Sequence, residues 1–251
     1  MRTLSLLIVG SLLMPAFGAE REARVYEMRT YYAAPGKLDA LHQRFREHTL
    51  KLFEKHGITN VGYWVPLDNK DNKLLFVLSY PSREARETSW KAFLADPAWQ
   101  KAVQESEAAG KLVRKVETVF LQPTDYSPPI KPAKDGDRVF ELRTYTASPG
   151  NLDALNARFR EHTLKLFEKH GMTNVAYWNL MKDQKGADVQ LIYLLAHKSV
   201  QAARDSFDAF RKDPAWVKAR TASEAKAGGS LTVKDGVRSE FHKATDYSPI
   251  R

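Results

Sequence analysis

Compared with itself, the 251-residue chain contains one unit written twice. Arg24-Val25-Tyr26-Glu27-Met28-Arg29-Thr30-Tyr31 returns 114 residues later as Arg138-Val139-Phe140-Glu141-Leu142-Arg143-Thr144-Tyr145. Between Arg44 and Trp64, 19 of 21 positions are identical to Arg158–Trp178; Ile58/Met172 and Gly62/Ala176 are the exceptions. Asp96-Pro97-Ala98-Trp99 recurs at an offset of 117, and Thr124-Asp125-Tyr126-Ser127-Pro128 at 121. A repeat of this kind outranks every local signal, because whatever surface one copy leaves uncovered is a natural docking surface for the other. The expected organisation is repeat 1 over residues 24–128, a Pro- and Gly-containing linker over 129–137, and repeat 2 over 138–249. The growing offsets predict longer loops in repeat 2.

Each copy reads as strand, helix, strand, strand, helix, short helix, strand. Val25–Tyr32 alternates in β-rich residues. Pro35-Gly36 opens a helix whose stripe Leu38, Leu41, Phe45, His48 and Leu52 steps by three and four, and Gly57 closes it. Val61–Val65 and Leu74–Tyr80 are strands joined by a turn-rich segment. A helix over Ser82–Ala95 follows, then Asp96 as N-cap with Pro97 at the first helical position of another helix. Gly110 stops that helix, and Val113–Leu121 is the last strand. This βαββαβ order predicts an α+β fold, a ferredoxin-like antiparallel sheet with helices on one face.

The other face needs a cover. Leu74-Leu75-Phe76-Val77-Leu78 is apolar on both sides, as in a sheet buried on both sides. The natural cover is the same face of the second copy, so the two repeats are expected to close into one intramolecular dimeric α/β-barrel. Alternation separates Tyr26 and Met28 (with Phe140 and Leu142) from Glu27, Arg29 and Tyr31 (with Glu141, Arg143 and Tyr145). The first set is expected under the helices and the second inside the barrel. On the next strand, Asn60, Gly62 and Trp64 are assigned to one face and Val61, Tyr63 and Val65 to the other.

The first 18 residues read as an address. Met1-Arg2, the apolar run Leu4–Leu13, Pro15 and the small-residue site Ala16-Phe17-Gly18 form the three-part pattern of a secretory signal, too short to span a bilayer. A periplasmic or secreted protein is expected. Zero cysteines suit an oxidising compartment and exclude disulfides, thiolate metal sites and cysteine nucleophiles. The net charge is +9, yet Lys and Arg lie scattered among acids, which argues against nucleic acid as a partner.

The openings Tyr26-Glu27-Met28-Arg29-Thr30-Tyr31 and Phe140-Glu141-Leu142-Arg143-Thr144-Tyr145 resemble the Tyr-Glu-Leu-Arg-Thr-Tyr hallmark of the NIPSNAP family. The helix carrying Phe45 and His48, followed by Gly57 and the strand to Trp64, is similar as well, in both copies. The resemblance implies a tandem of NIPSNAP domains on the dimeric α/β-barrel fold. It brings no enzyme with it, since the family has no settled reaction. Its animal members are mitochondrial proteins tied to trafficking, a setting from which an exported chain departs.

The candidate ligand-binding residues are Glu27, Arg29, Tyr31, His48 and Trp64, with Glu141, Arg143, Tyr145, His162 and Trp178. Glu27 and Arg29 can pair structurally or clamp an anion; Tyr31 and Trp64 can pack or line a pocket for a flat ligand. His48 and His162 fit a satisfied core histidine or a pocket role. No metal or other cofactor is expected: there is no HExxH, no tight His/Asp cluster and no Gly-rich phosphate loop. No catalytic residues are assigned. Between Arg44 and Trp64 even the positions expected to be exposed agree in the two copies: Arg46, Glu47, Lys51, Glu54 and Lys55. That face touches the other half or a partner, or records local gene conversion. The leading functional expectation is non-catalytic binding of a small anionic or aromatic molecule, or protein interaction or self-association. The alternative is a cofactor-free monooxygenase or haem-handling enzyme, which rests on fold analogy alone.

Overall fold

The computed structural model describes residues 24–133 and 136–251. The expected export signal, residues 1–18, lies outside them. In repeat 1, β1 (Val25–Ala33) leads into helix α1, built of Leu38–Arg44, a π-helical turn at Phe45–Thr49 and Leu50–Lys55. There follow β2 (Thr59–Pro66), β3 (Lys73–Tyr80), α2 (Arg83–Ala95), α3 (Pro97–Ser106) and β4 (Val113–Pro123). Repeat 2 gives β5 (Val139–Ala147), α4 (Leu152–Arg158, π turn Phe159–Thr163, Leu164–Lys169), β6 (Thr173–Leu180) and β7 (Gln190–His197). It ends with α5 (Val200–Lys212), α6 (Pro214–Ala227) and β8 (Thr232–Ala244). Local chemistry sets these boundaries. Ser82 and Ser199 accept the Ala85 and Ala202 N–H groups, and Asp96 and Asp213 accept those of Ala98 and Ala215, ahead of a proline at the first helical position.

The strands form one closed antiparallel barrel in the order β1-β3-β2-β8-β5-β7-β6-β4. Each repeat supplies a ferredoxin-like four-stranded sheet, and two short seams join them: Trp64–Pro66 against His242–Ala244, and Leu121–Pro123 against Trp178–Leu180. The architecture is the α+β barrel expected from the repeat, with the helices outside. The growth in offset is only partly a matter of loops. The β6–β7 connection is longer than β2–β3, but later α6 has 14 residues against 10 in α3, and β8 has 13 against 11 in β4.

The two faces of the first strand are reversed relative to expectation. Tyr26, Met28, Trp64, Leu75 and Val77 pack inside the barrel with Phe140, Trp178, Ile192 and Leu194 of the other repeat. Glu27, Arg29 and Tyr31 lie under the helices instead, as do Glu141, Arg143 and Tyr145. Alternation sorts residues into two sets but cannot say which set faces which layer when both layers are dry. On the helix side both carboxylates find donors: Glu27 from Arg29, Tyr80 and the α2 side chains Arg86 and Trp90, Glu141 from the strand residues Arg143, His197 and Ser239. A bulge between Asn60 and Gly62 makes the second correction: it turns Val61 into the barrel beside Trp64 and leaves Asn60 and Tyr63 on the helix side. At Gly62 the Trp64 indole lies across the backbone, 2.1 Å from where a Cβ would stand, so a larger residue there requires the indole to move. Repeat 2 has Ala176 at this position, with Trp178 equally buried beside it.

The π turns make the third correction. Each adds a residue to its helix, so the buried stripe runs through Leu41, Phe45, Thr49 and Phe53. His48 and His162 are carried outward, their side chains 40% and 48% exposed. Neither is a core histidine nor part of a cavity wall described below.

The repeats also clasp each other. Thr124–Pro128, at the end of repeat 1, lies on repeat 2: Asp125 takes a fork from Arg160 (2.6 and 2.7 Å), Tyr126 donates to Asn156, and Ser127 Oγ accepts the Tyr177 N–H. Thr245–Ser248 does the same to repeat 1 through Arg46–Asp246 (2.7 and 2.8 Å), His42–Tyr247 and the Tyr63 N–H to Ser248. This accounts for part of the identical helix face: Arg46 and Arg160 bind the other half, while Lys55 and Lys169 bind Asp96 and Asp213 of their own.

Candidate functional site

The densest polar chemistry lies between β1, α1 and α2. Glu27 is fully buried. Arg29 Nη1 donates to its Oε1, which also accepts from Arg86 Nη2 (2.8 Å). Oε2 accepts from Arg86 Nε (3.1 Å), Tyr80 OH (2.9 Å) and Trp90 Nε1 (3.2 Å). Burial pushes this carboxyl up, but the hydrogen bonds and charge of Arg86, with Arg29 and Tyr80, outweigh it and hold the group below its ordinary value. The Arg29 guanidinium, in turn, lies 4.5 Å from the Trp90 ring.

Over this network opens a cavity of about 640 Å³. Its polar wall carries Arg29, Arg44, Arg86 and Lys91, against a single lining acid, Glu87. Its apolar wall is Tyr31, Phe45, Phe53, Trp90, Phe93 and Trp99. Arg44, 5% exposed, pairs with Glu107 at 2.9 Å and lies 5.3 Å from the Trp99 ring. The Nε atoms of Arg29 and Arg44 are buried with no acceptor among the described residues. In repeat 2 the first of these donors is satisfied: Arg143 Nε donates to Tyr193 OH at 2.9 Å, where repeat 1 has Phe76 opposite Arg29. The only hydroxyl-bearing aliphatic residue of the wall, Thr49, is spent on the Arg44 carbonyl, and the wall includes no histidine. The chemistry this wall offers is guanidinium and ammonium recognition of an anion beside aromatic surface.

Repeat 2 is built differently at the same place. Glu141 accepts from Arg143, from Ser239 Oγ and from His197 Nε2 (3.0 Å). Burial raises its carboxyl, while His197, Arg143 and Ser239 outweigh that and hold it below the ordinary value. Arg86, Trp90 and Lys91 correspond to Ala203, Phe207 and Asp208. The cavity there is smaller, about 380 Å³.

Of the residues expected at a site, the structure brings Glu27, Arg29 and Tyr31 together, and likewise Glu141, Arg143 and Tyr145. Trp64 and Trp178 are on the opposite sheet face, in the barrel. The expected pocket rimmed by both tyrosines and both tryptophans does not form, since the barrel wall separates them. Sequence reasoning missed Arg44, Arg86, Trp90 and Trp99. Arg44 had a signal, an arginine retained in both copies one position before Phe45. Arg86 had none, because repeat 2 has alanine there. Among the described residues no group of His, Asp or Glu is placed to hold a metal ion, and no helix is long and apolar enough to cross a membrane.

Comparison with known proteins agrees with this architecture. A NipSnap homolog from Dictyostelium discoideum is 23% identical over 217 residues, covering 84% of this chain and 87% of that protein. In fold, the chain is similar to an anthrone oxidase-like protein, with a TM-score of 0.56 and 13% identity over 92% of this chain and 95% of that one. A Lactobacillus acidophilus protein described as a "putative monooxygenase" superposes with a TM-score of 0.56 at 9% identity, over 90% of this chain and 98% of its own. At such identities these two structures speak to the fold alone. The NIPSNAP family model matches residues 26–128 and again 140–249, so that both repeats are covered nearly end to end, and the chain belongs to the NIPSNAP family.

Proposed function

We propose that this protein is an exported, non-catalytic binding protein, and that the cavity of repeat 1 takes a small organic anion with a flat apolar body, an aromatic carboxylate. One observation carries the reading: four cationic side chains and six aromatic rings converge on a single cavity of about 640 Å³ that holds one lining acid. A guanidinium fork matches a carboxylate, and the ring-lined wall supplies the apolar contact. Export follows from the signal-like pattern of Met1–Gly18.

Titration of the full chain with aromatic carboxylates, followed by thermal shift and calorimetry, tests the site. A ligand of the native state at 100 times its Kd adds about 2.7 kcal/mol to stability, and the melting temperature rises with it. Lys91→Glu, at the exposed rim, should weaken carboxylate binding at least several-fold without unfolding the protein. Equal shifts from uncharged amide isosteres, or none from any aromatic anion, would overturn the reading. Export is tested separately: N-terminal sequencing from the source cells should begin at Ala19, and an intact Met1 refutes it.

A further inference from the structure

In repeat 1 the Arg86 guanidinium fills a site of its own. It makes two hydrogen bonds to the buried Glu27 carboxylate and lies 5.1 Å from the Trp90 ring and 5.3 Å from the Phe120 ring. A buried carboxylate with two aromatic faces is a complete set of partners for a guanidinium. Repeat 2 keeps all three partners, as Glu141, Phe207 and Phe241, but has Ala203 at the position of Arg86. These three residues and Ala203 line the cavity of about 380 Å³. Arg83, 3.4 Å over Phe120, is likewise replaced, by Val200, so the Phe241 face loses both cations.

We propose that this cavity binds the guanidinium group of a small ligand, its head placed as Arg86 places its own. Two details support the assignment. Glu141 Oε2 accepts from His197 alone, whereas the matching oxygen of Glu27 accepts from three side chains, so acceptor capacity remains for a ligand. Asp208 stands where repeat 1 has Lys91, and it neutralises Arg211 at the rim. Arg204 also lines the cavity, which gives a carboxylate at the far end of the ligand a second contact. A guanidino acid such as free L-arginine carries both groups.

The test is calorimetric titration of the full chain with L-arginine and with ethylguanidine. Both should bind the native protein. Ala203→Arg supplies the head from within, as repeat 1 does, and should lower the affinity for both ligands at least tenfold. Ala203→Met closes the same space without charge and should do likewise, which keeps the test valid if the arginine variant folds poorly. Arg204→Ala should weaken L-arginine several-fold and leave ethylguanidine within about twofold. Absence of binding to the native protein overturns the proposal, as does binding that survives both substitutions at Ala203. An Arg204→Ala variant that treats both ligands alike removes the contact to the ligand's carboxylate.

Discussion

Glu27 and Glu141 hold equivalent positions, and their partners differ in a way that stability measurements can read. Removing Arg29 leaves Glu27 with Arg86, Tyr80 and Trp90. Removing Arg143 leaves Glu141 with His197 and Ser239, neither of them a permanent cation. Arg143→Ala should therefore cost about 3–5 kcal/mol, as for a buried charge stripped of its partner. Arg29→Ala should cost about 1–3 kcal/mol, the loss of one charged hydrogen bond among several. Urea denaturation of the two variants decides this, and an equal or inverted pair of costs refutes the division of partners. Both carboxyls are held below their ordinary value of 4.5, so the unfolded chain binds protons first on acidification. The stability they contribute is complete above about pH 4.5 and drains away as the pH falls from there toward the folded values. Denaturation midpoints that stay level from about pH 5 to about pH 3 would contradict it. At this scale the sequence was half legible. The pairing of Glu27 with Arg29 could be read from their spacing on a strand. Arg86 could not, because its side chain comes from a helix 59 residues away and its counterpart is alanine.

Within the elements, the π turns decide which side chains α1 and α4 bury. A regular helix would carry His48 on the apolar stripe; the extra residue puts Thr49 there, its hydroxyl 3.1 Å from the Arg44 carbonyl, and Thr163 repeats this on Arg158. Thr49→Val should cost about 0.5–1.5 kcal/mol for the lost buried hydrogen bond. His48→Ala should stay within about 0.5 kcal/mol of wild type. Equilibrium unfolding of both variants checks the register, and a costly His48→Ala with a neutral Thr49→Val would restore the regular helix. Helix ends were legible because caps are local: Ser82, Asp96 and Pro97 announce them within three residues. The π turn was not, since a period of 3.6 assumes that every turn is alike. The bulge beside Gly62 escaped for the same reason, a period of two being blind to one inserted residue.

Across the whole molecule, the repeat made the barrel legible before any strand was placed, since a β3 segment apolar on both faces needs a second cover. What could not be read was the interlock. Thr124–Pro128 and Thr245–Pro249 stood out as matching strings, yet nothing local says that each lies on the opposite repeat. With two seams of three residue pairs, two reciprocal clasps and one shared interior cluster, neither half retains a complete core without the other. Independent halves would leave an apolar sheet face open to water, which monomeric proteins rarely tolerate. Scanning calorimetry of the intact chain tests this most directly. Folding as one body predicts a single transition whose van't Hoff and calorimetric enthalpies agree. Two resolved transitions, or a van't Hoff enthalpy about half the calorimetric value, as two independent equal halves would give, would contradict it.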